Sequence, residues 1–297
     1  MAEPAVRWVE PPGGQRTLAA VLRELGVADV ALTSGAVFVN RARQTQPERV
    51  VRAADIVEVY PVRRGQAASC PIVARRGDLL LVDKPAALAS EPTRQGGGDS
   101  VAEQFTALFG TRAHVHSRLD VGVSGLTLVA LSDRARQHVE RLRSQSAYHR
   151  HYVALASGGF ASDEGEWRSK LGTRDAVTRY RVVERVTRAG SPSLLMLLGL
   201  APITGRTHQL RAHAAAAGAP LLGDKRYGGV QRLVSGQGSV VGLGRIMLHA
   251  ARVDLADVNG QPWQVVLPPP HELTDLWTSV GGSQASLSAA TSLDLLG

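Results

Sequence analysis

The chain has 297 residues, 44% of them apolar, with 34 basic against 26 acidic side chains and a formal net charge of +8. That apolar share sustains a core and excludes wholesale disorder, and the longest apolar run, about Leu194–Leu200, is far short of the roughly 20 residues a membrane span needs. The single cysteine, Cys70, excludes an internal disulfide and a cysteine-built zinc site, and the N-terminus carries no apolar stretch of the signal-peptide kind, so a reducing, cytoplasmic setting is expected.

Residues 1–14, with Pro4, Pro11, Pro12, Gly13 and Gly14, read as a disordered lead-in. Leu18, Val21, Leu22 and Leu25 fall at i, i+3, i+4 and i+7 and predict a helix stopped by Gly26. Residues 36–40 and the alternating stretch 55–60 predict strands. Together they make a small α/β module, residues 15–61, too short to be an enzyme core on its own. Residues 62–76 mix proline, glycine and basic side chains with Cys70 and read as a linker. A large domain is expected over 77–270. Its predicted strands lie at 79–82, 126–131, 152–156, 178–183, 193–200, 247–255 and 263–267, and a glycine-rich loop occupies 93–99. One helix follows a cap at Ser132 or Asp133, with Ala135, Val139 and Leu142 on one face; another covers 207–217 and stops at Gly218. Residues 271–297 turn rich in serine, glycine and alanine and read as a flexible tail. Many strands with few helices between them predict an α+β fold with a mixed, mainly antiparallel sheet in the large domain.

The positive charge points to a polyanionic partner, chiefly nucleic acid. Only Lys84, Lys170 and Lys225 among the basic residues are lysines. Arginine suits bidentate phosphate and base contacts, although a GC-rich coding sequence produces the same bias. Three segments concentrate polar groups in apolar surroundings. In 114–125, Arg118 and Asp120 sit in the turn before a strand; Asp120 fits a nucleophile or general base, or a turn aspartate bonded to its own backbone. In 205–213, His208 and Arg211 share a helical face, and basic residues at a helix N-terminus oppose its dipole, which hints at a functional demand; the alternative is a solvated first turn. In 148–155, Tyr152 opens an apolar strand as a core edge or as an aromatic platform for a base. A binuclear metal pattern after His114 and His116 would need an acid at 118 and a histidine at 119, where Arg118 and Leu119 stand, so no metal site is expected.

Taken in order, these segments resemble the RluA-type pseudouridine synthases. The family pattern H-R-L-D-x-x-T-S-G is matched by Ser117-Arg118-Leu119-Asp120 and Ser124-Gly125. The pattern G-R-T-H-Q-[IL]-R-x-H, running on to P-[IL]-x-G-D-x-x-Y-G, is matched by Gly205–His213 and then Pro220, Leu221, Gly223, Asp224, Tyr227 and Gly228. Lys84-Pro85 with Leu88, Arg150 with Tyr152 and Ala154, Ala176 with Thr178 and Tyr180, and Leu248-His249-Ala250 match further family segments. The likeness covers about residues 78–270. Two positions depart from it: Ser117 stands for a family histidine and Val123 for a threonine. The N-terminal module is similar to the S-four RNA-binding domain through its helix, Ser34-Gly35 with Val37, Val39 and Asn40, and Ala54–Val57; the usual arginine-bearing second helix is truncated.

The resemblance implies the pseudouridine synthase fold and conversion of uridine in ribosomal or transfer RNA to pseudouridine, with no cofactor and no metal. It implies Asp120 as the nucleophile, acting at the anomeric carbon or through a glycal-forming path. Arg211 would pair with Asp120, and Tyr152 would stack on the base. Arg118 would fill the gap left by the flipped nucleotide, and Arg206, His208 and Arg150 would contact substrate. The expected state is a monomer with no membrane partner. A non-catalytic RNA-binding protein on the same scaffold is the alternative, and the intact Asp120, Tyr152 and Arg211 set speaks against it. A metal-dependent nucleic-acid hydrolase is disfavoured by Arg118 and by the lack of an acidic cluster.

Overall fold

Two kinds of strand sequence set the architecture. Runs such as Leu79–Val82 and Leu194–Leu198 are apolar at every position, Leu126–Ala130 is interrupted only by Thr127, and all three need cover on both faces of a sheet, whereas Arg174–Thr187 alternates over much of its length. A computed structural model describes residues 6–27, 37–59, 69–92, 100–160, 162–187, 192–234 and 238–296. The chain divides into two compact units, residues 1–69 with 88–110, and residues 70–87 with 111–297. The Ser34-Gly35 piece of the module, linker residues 62–68 and the 93–99 loop lie outside the described residues.

The first unit contains β1 (Val6–Val9), β2 (Gln15–Thr17), α1 (Leu18–Glu24), β3 (Val37–Val39), β4 (Ala42–Arg43), β5 (Val50–Arg52), β6 (Ile56–Val59) and α2 (Val101–Phe109). One antiparallel sheet runs β1-β6-β3-β4, and β2 pairs with β5. Thr17 caps α1 by accepting from the Ala20 N–H, and Leu18, Val21 and Leu22 pack on Val37, Val39, Val51 and Val57. A capping box of Ser100 and Glu103 starts α2. The lead-in is corrected here. Val6–Val9 is a strand on β6, with Val6 and Trp8 packed against the unit's core, and Glu10 is buried and bonded to Arg16. Pro11 and Pro12 follow that strand rather than interrupt it.

The second unit holds β7 (Ile72–Arg76), β8 (Leu79–Lys84), β9 (His114–His116), β10 (Ser124–Ala130), α3 (Asp133–Ser144), β11 (His149–Ser157), β12 (Glu164–Leu171), β13 (Arg174–Thr187), β14 (Leu194–Pro202), α4 (Gln209–Ala216), β15 (Arg232–Val234), β16 (Val240–Gly242), β17 (Leu248–Ala256), β18 (Pro262–Val266), α5 (His271–Ser279) and α6 (Gln284–Ser292). Its main sheet runs β12-β13-β14-β11-β17-β10-β8-β7, with β18 on β17 and β9 on β10. The mixed, mainly antiparallel α+β reading holds: β10 and β17 pair in parallel and the other ladders of this sheet are antiparallel. The parallel pair brings Gly125 against Ala250 so closely that a Cβ there would lie 2.4 Å from the Ala250 carbonyl oxygen; with φ +112°, only glycine fits.

Two further expectations change. Residues 72–76 are a strand rather than linker, because β7 pairs antiparallel with β8 across a turn at Gly77. The tail is two helices over most of its length. Leu273, Leu276, Trp277 and Val280 recur at helical spacing and bury against Val153, Leu155, Leu195 and Leu197 of the sheet, while the Trp277 indole donates to Ser286 Oγ of α6. Small residues let α6 approach closely, and their abundance is what made the segment look unstructured.

Candidate active site

Asp120 lies in the loop joining β9 to β10. Its backbone carbonyl accepts from the Val123 N–H at 3.0 Å, and the base of the loop is pinned to β17. Arg245 Nη2 donates to Ser124 Oγ at 2.6 Å, and Ser124 Oγ lies 2.8 Å from His249 Nδ1, to which it donates because the Leu267 carbonyl takes the proton of Nε2. His249 Nε2 is the protonated nitrogen and stands 3.3 Å from the Leu267 carbonyl. Burial pushes the His249 imidazole down to about 3, so it is neutral near pH 7. Ser117, the departure from the family histidine, has φ +60° and donates from Oγ to Tyr148 Oη at 2.8 Å in a buried pair. Val123, the other departure, is buried in the apolar cluster beneath the cleft.

The opposite wall is built from the loop before α4. Gln209 is buried, and all four of its side-chain hydrogen-bonding positions are used. Oε1 accepts from Thr204 Oγ1 at 2.7 Å and from the Arg206 N–H at 3.0 Å; Nε2 donates to the Val177 carbonyl at 2.8 Å and to Thr178 Oγ1 at 3.0 Å. The loop is thereby fixed on β13. The helix begins at Gln209, two residues later than its sequence suggested, because His208 takes a left-handed conformation with φ +55°. Strained non-glycine backbone of this kind concentrates at functional sites.

Arg211 crosses from this wall to Asp120. Its Nη1 donates to Asp120 Oδ2 at 2.7 Å, while Nε and Nη2 grip both oxygens of Asp224 at 2.6 and 2.8 Å. Asp224 is fully buried and also accepts from the Arg226 and Tyr227 N–H groups. Burial alone would raise the Asp224 carboxyl; the Arg211 guanidinium and those N–H groups more than reverse this and hold it below its ordinary value. Burial likewise opposes the Arg211 charge, and the two carboxylates overcome it. The Tyr227 ring lies beneath the guanidinium, 5.2 Å from centroid to carbon. Asp120 keeps 26% of its side chain exposed, and its Oδ1 makes no hydrogen bond among the described residues; His208 Nε2 stands 3.8 Å away. Burial pushes the His208 imidazole down, against the pull of Asp120.

The cleft is lined by Arg118, Asp120, Arg150, Tyr152, Arg206, His208 and Arg211, so all seven residues expected from sequence converge. Tyr152 is buried to 4% exposure, and its hydroxyl has no protein partner among the described residues. Arg118 is exposed at the lip. Asp224, Gln209, Ser124 and Arg245 were not singled out as site residues by sequence. Besides its place in the family motif, Asp224 had one signal in the sequence, an acid two residues after the apolar pair Leu221-Leu222, since a buried carboxylate requires a cation. Among the described residues, no group of three His, Cys, Asp or Glu side chains is placed to hold a metal ion.

Comparison with known proteins gives a consistent set of relatives. The profile of the family described as RNA pseudouridylate synthase matches residues 78–216. The chain is 31% identical over 268 residues to ribosomal large subunit pseudouridine synthase D of Xanthomonas campestris, covering 79% of this chain and 78% of that protein. It is 32% identical over 201 residues to the dual-specificity RNA pseudouridine synthase RluA of Haemophilus influenzae, covering 62% of this chain and 85% of that protein. The solved structure of human RNA pseudouridylate synthase domain containing 1 aligns with a TM-score of 0.57 at 23% identity, over 78% of this chain and 98% of that one, and shows the shared fold.

Proposed function

This chain belongs to the RluA-type RNA pseudouridine synthases, and from that premise we propose that it isomerises specific uridines of large-subunit ribosomal RNA, with Asp120 as the nucleophile. The supporting observation is the chain Asp224–Arg211–Asp120: a buried carboxylate holds an arginine, and that arginine holds a half-exposed carboxylate at the mouth of a cationic cleft. A protein that only bound RNA would gain nothing from a negative charge there, since it repels phosphate. The ribosomal substrate is suggested by the Xanthomonas campestris protein, one of the relatives that align over most of both chains.

In this reading the target nucleotide leaves its stack, at a cost of a few kcal/mol that is smaller in a loop. Arg118 occupies the gap, and Tyr152 stacks on the uracil. Asp120 Oδ1 attacks C1′ of the ribose while Arg211 fixes Oδ2. The C1′–N1 bond breaks and its electron pair leaves with the uracil. The uracil turns, C5 attacks C1′ and displaces Asp120, the C5 proton is lost, and N1 gains a proton. Nothing is oxidised or reduced. The segment 15–61, S-four-like in sequence, adds affinity for the RNA.

Tritium release from ribosomal RNA labelled at uridine C5 tests this directly, with pseudouridine mapped in ribosomal and transfer RNA after incubation. Release by the native protein is expected at large-subunit sites, falling at least about 10⁴-fold in Asp120→Asn and Asp120→Ala. Equal release from the variants would remove Asp120 from the chemistry, and modification confined to transfer RNA would overturn the ribosomal assignment.

A further inference from the structure

Beside the Asp120 cleft lies a second cavity of about 500 Å³, within the size range of ligand pockets. It sits between the end of α3, the start of β11 and the loop 202–206, and shares Arg150, Gly205 and Arg206 with the cleft. Arg143, Arg150, Arg179 and Arg206 line it, and among the described residues no carboxylate side chain does. Arg179 pairs at 3.1 Å with Glu166, which it shares with Arg168, and Arg206 Nε donates to the Asp175 carbonyl at 3.0 Å. Arg143 and Arg150 make no ion pair among the described residues.

Arg143 and Arg150, two of the lining arginines that meet no acid, converge. Their Nη2 atoms each lie 3.8 Å from the point where a Cβ on Gly205 would stand, so they are no more than about 7.6 Å apart. One phosphate group between them can accept from both through charge-assisted bonds of about 2.7–2.9 Å. Arg150 is held in place over the Tyr148 ring at 5.5 Å, and that ring is fixed by Ser117. The buried Nε of Arg150 has no hydrogen-bond partner among the described residues. Like charges brought together without an acid are costly unless an anion joins them.

We infer that this cavity is an anion subsite, in which Arg143 and Arg150 grip a phosphodiester group of the strand that carries the target uridine. The inference rests on the RNA-modifying reading, because the subsite shares a wall with the cleft where the uridine would sit. It adds Arg143, at the end of a helix, to the residues that decide how the strand enters.

The test uses the full-length protein, a fluorescent decameric oligouridylate and uridine 5′-monophosphate as probes, and tritium release for turnover. Arg143→Gln should weaken oligouridylate binding about tenfold and lower the slope of log affinity against log salt by about 0.7, the value of one single-strand phosphate contact. Arg141→Gln, an exposed arginine of the same helix outside the cavity, should change neither. A single neutral methylphosphonate linkage, moved along the oligomer, should weaken wild-type binding at one position and add no further loss there in Arg143→Gln. Equal effects of the 141 and 143 substitutions would mean a diffuse basic surface and overturn the proposal. Equally tight binding of the mononucleotide, weakened alike by Arg143→Gln, would mean a free-nucleotide site and overturn it too. If Arg143→Gln weakens binding as expected but the native protein releases no tritium, the functional reading falls and the anion subsite stands.

Discussion

Arg211 and the Arg143–Arg150 pair lie in adjoining cavities and are wired in opposite ways. Arg211 is buried, touches two carboxylates and has a tyrosine ring beneath it. Arg143 is exposed, Arg150 is half-buried, and neither meets an acid among the described residues. One residue type therefore does two jobs, and the neighbouring acids decide which. A neutralised arginine becomes a rigid part of the protein and can aim a nucleophile. An unneutralised one keeps its charge for an incoming polyanion.

Removing the acid from the first arginine should break this contrast. Asp224→Ala strands a buried guanidinium and should cost about 3–5 kcal/mol of stability, read by urea unfolding, together with most of the turnover. Asp224→Asn keeps the shape and an oxygen acceptor while removing the charge. It should cost less stability, lower kcat more than it raises KM, and leave RNA binding at least as tight as in the native protein. A loss of binding equal to the loss of kcat would mean that Arg211 is mainly a phosphate contact. The pH dependence concerns the Ser124–His249 pair beneath the Asp120 loop. His249 falls from an ordinary 6.5 to about 3 on burial, and burial also takes His116 to about 4. Both therefore bind a proton more readily when unfolded. Their contribution to stability is full above about pH 6.5 and falls as pH drops, toward 4 for His116 and toward 3 for His249, by up to ~1.4 kcal/mol per pH unit for each. His249→Gln should flatten that slope in unfolding experiments between pH 6.5 and 4.5; an unchanged slope would place the titration elsewhere.

The contrast also explains what could be read from sequence. Asp120, His208 and Arg211 stood out because charged groups interrupted apolar segments or broke the helix-dipole rule. The central strands stood out because runs such as Leu79–Val82 leave few alternatives. Asp224 was visible as a motif letter but not as the anchor of Arg211, since which cation meets a buried acid is decided by tertiary packing. Arg143 looked ordinary for the same reason: a basic residue in the last turn of a helix satisfies the helix dipole, and only the fold brings it beside Arg150. The two C-terminal helices were masked by composition, although Leu273, Leu276, Trp277 and Val280 already carried the helical spacing.

The most direct test of the central claim compares Arg211→Lys with Arg150→Gln, measuring tritium release at saturating RNA and RNA affinity in the same preparations. Arg211→Lys keeps a cation between the two carboxylates but loses the two-sided grip. It should reduce turnover at least about 10²-fold, with affinity within about threefold of native. Arg150→Gln should show the reverse, with affinity down about tenfold and turnover at saturation nearly retained. Parallel losses of both quantities in both variants would contradict the division of labour between paired and unpaired arginines.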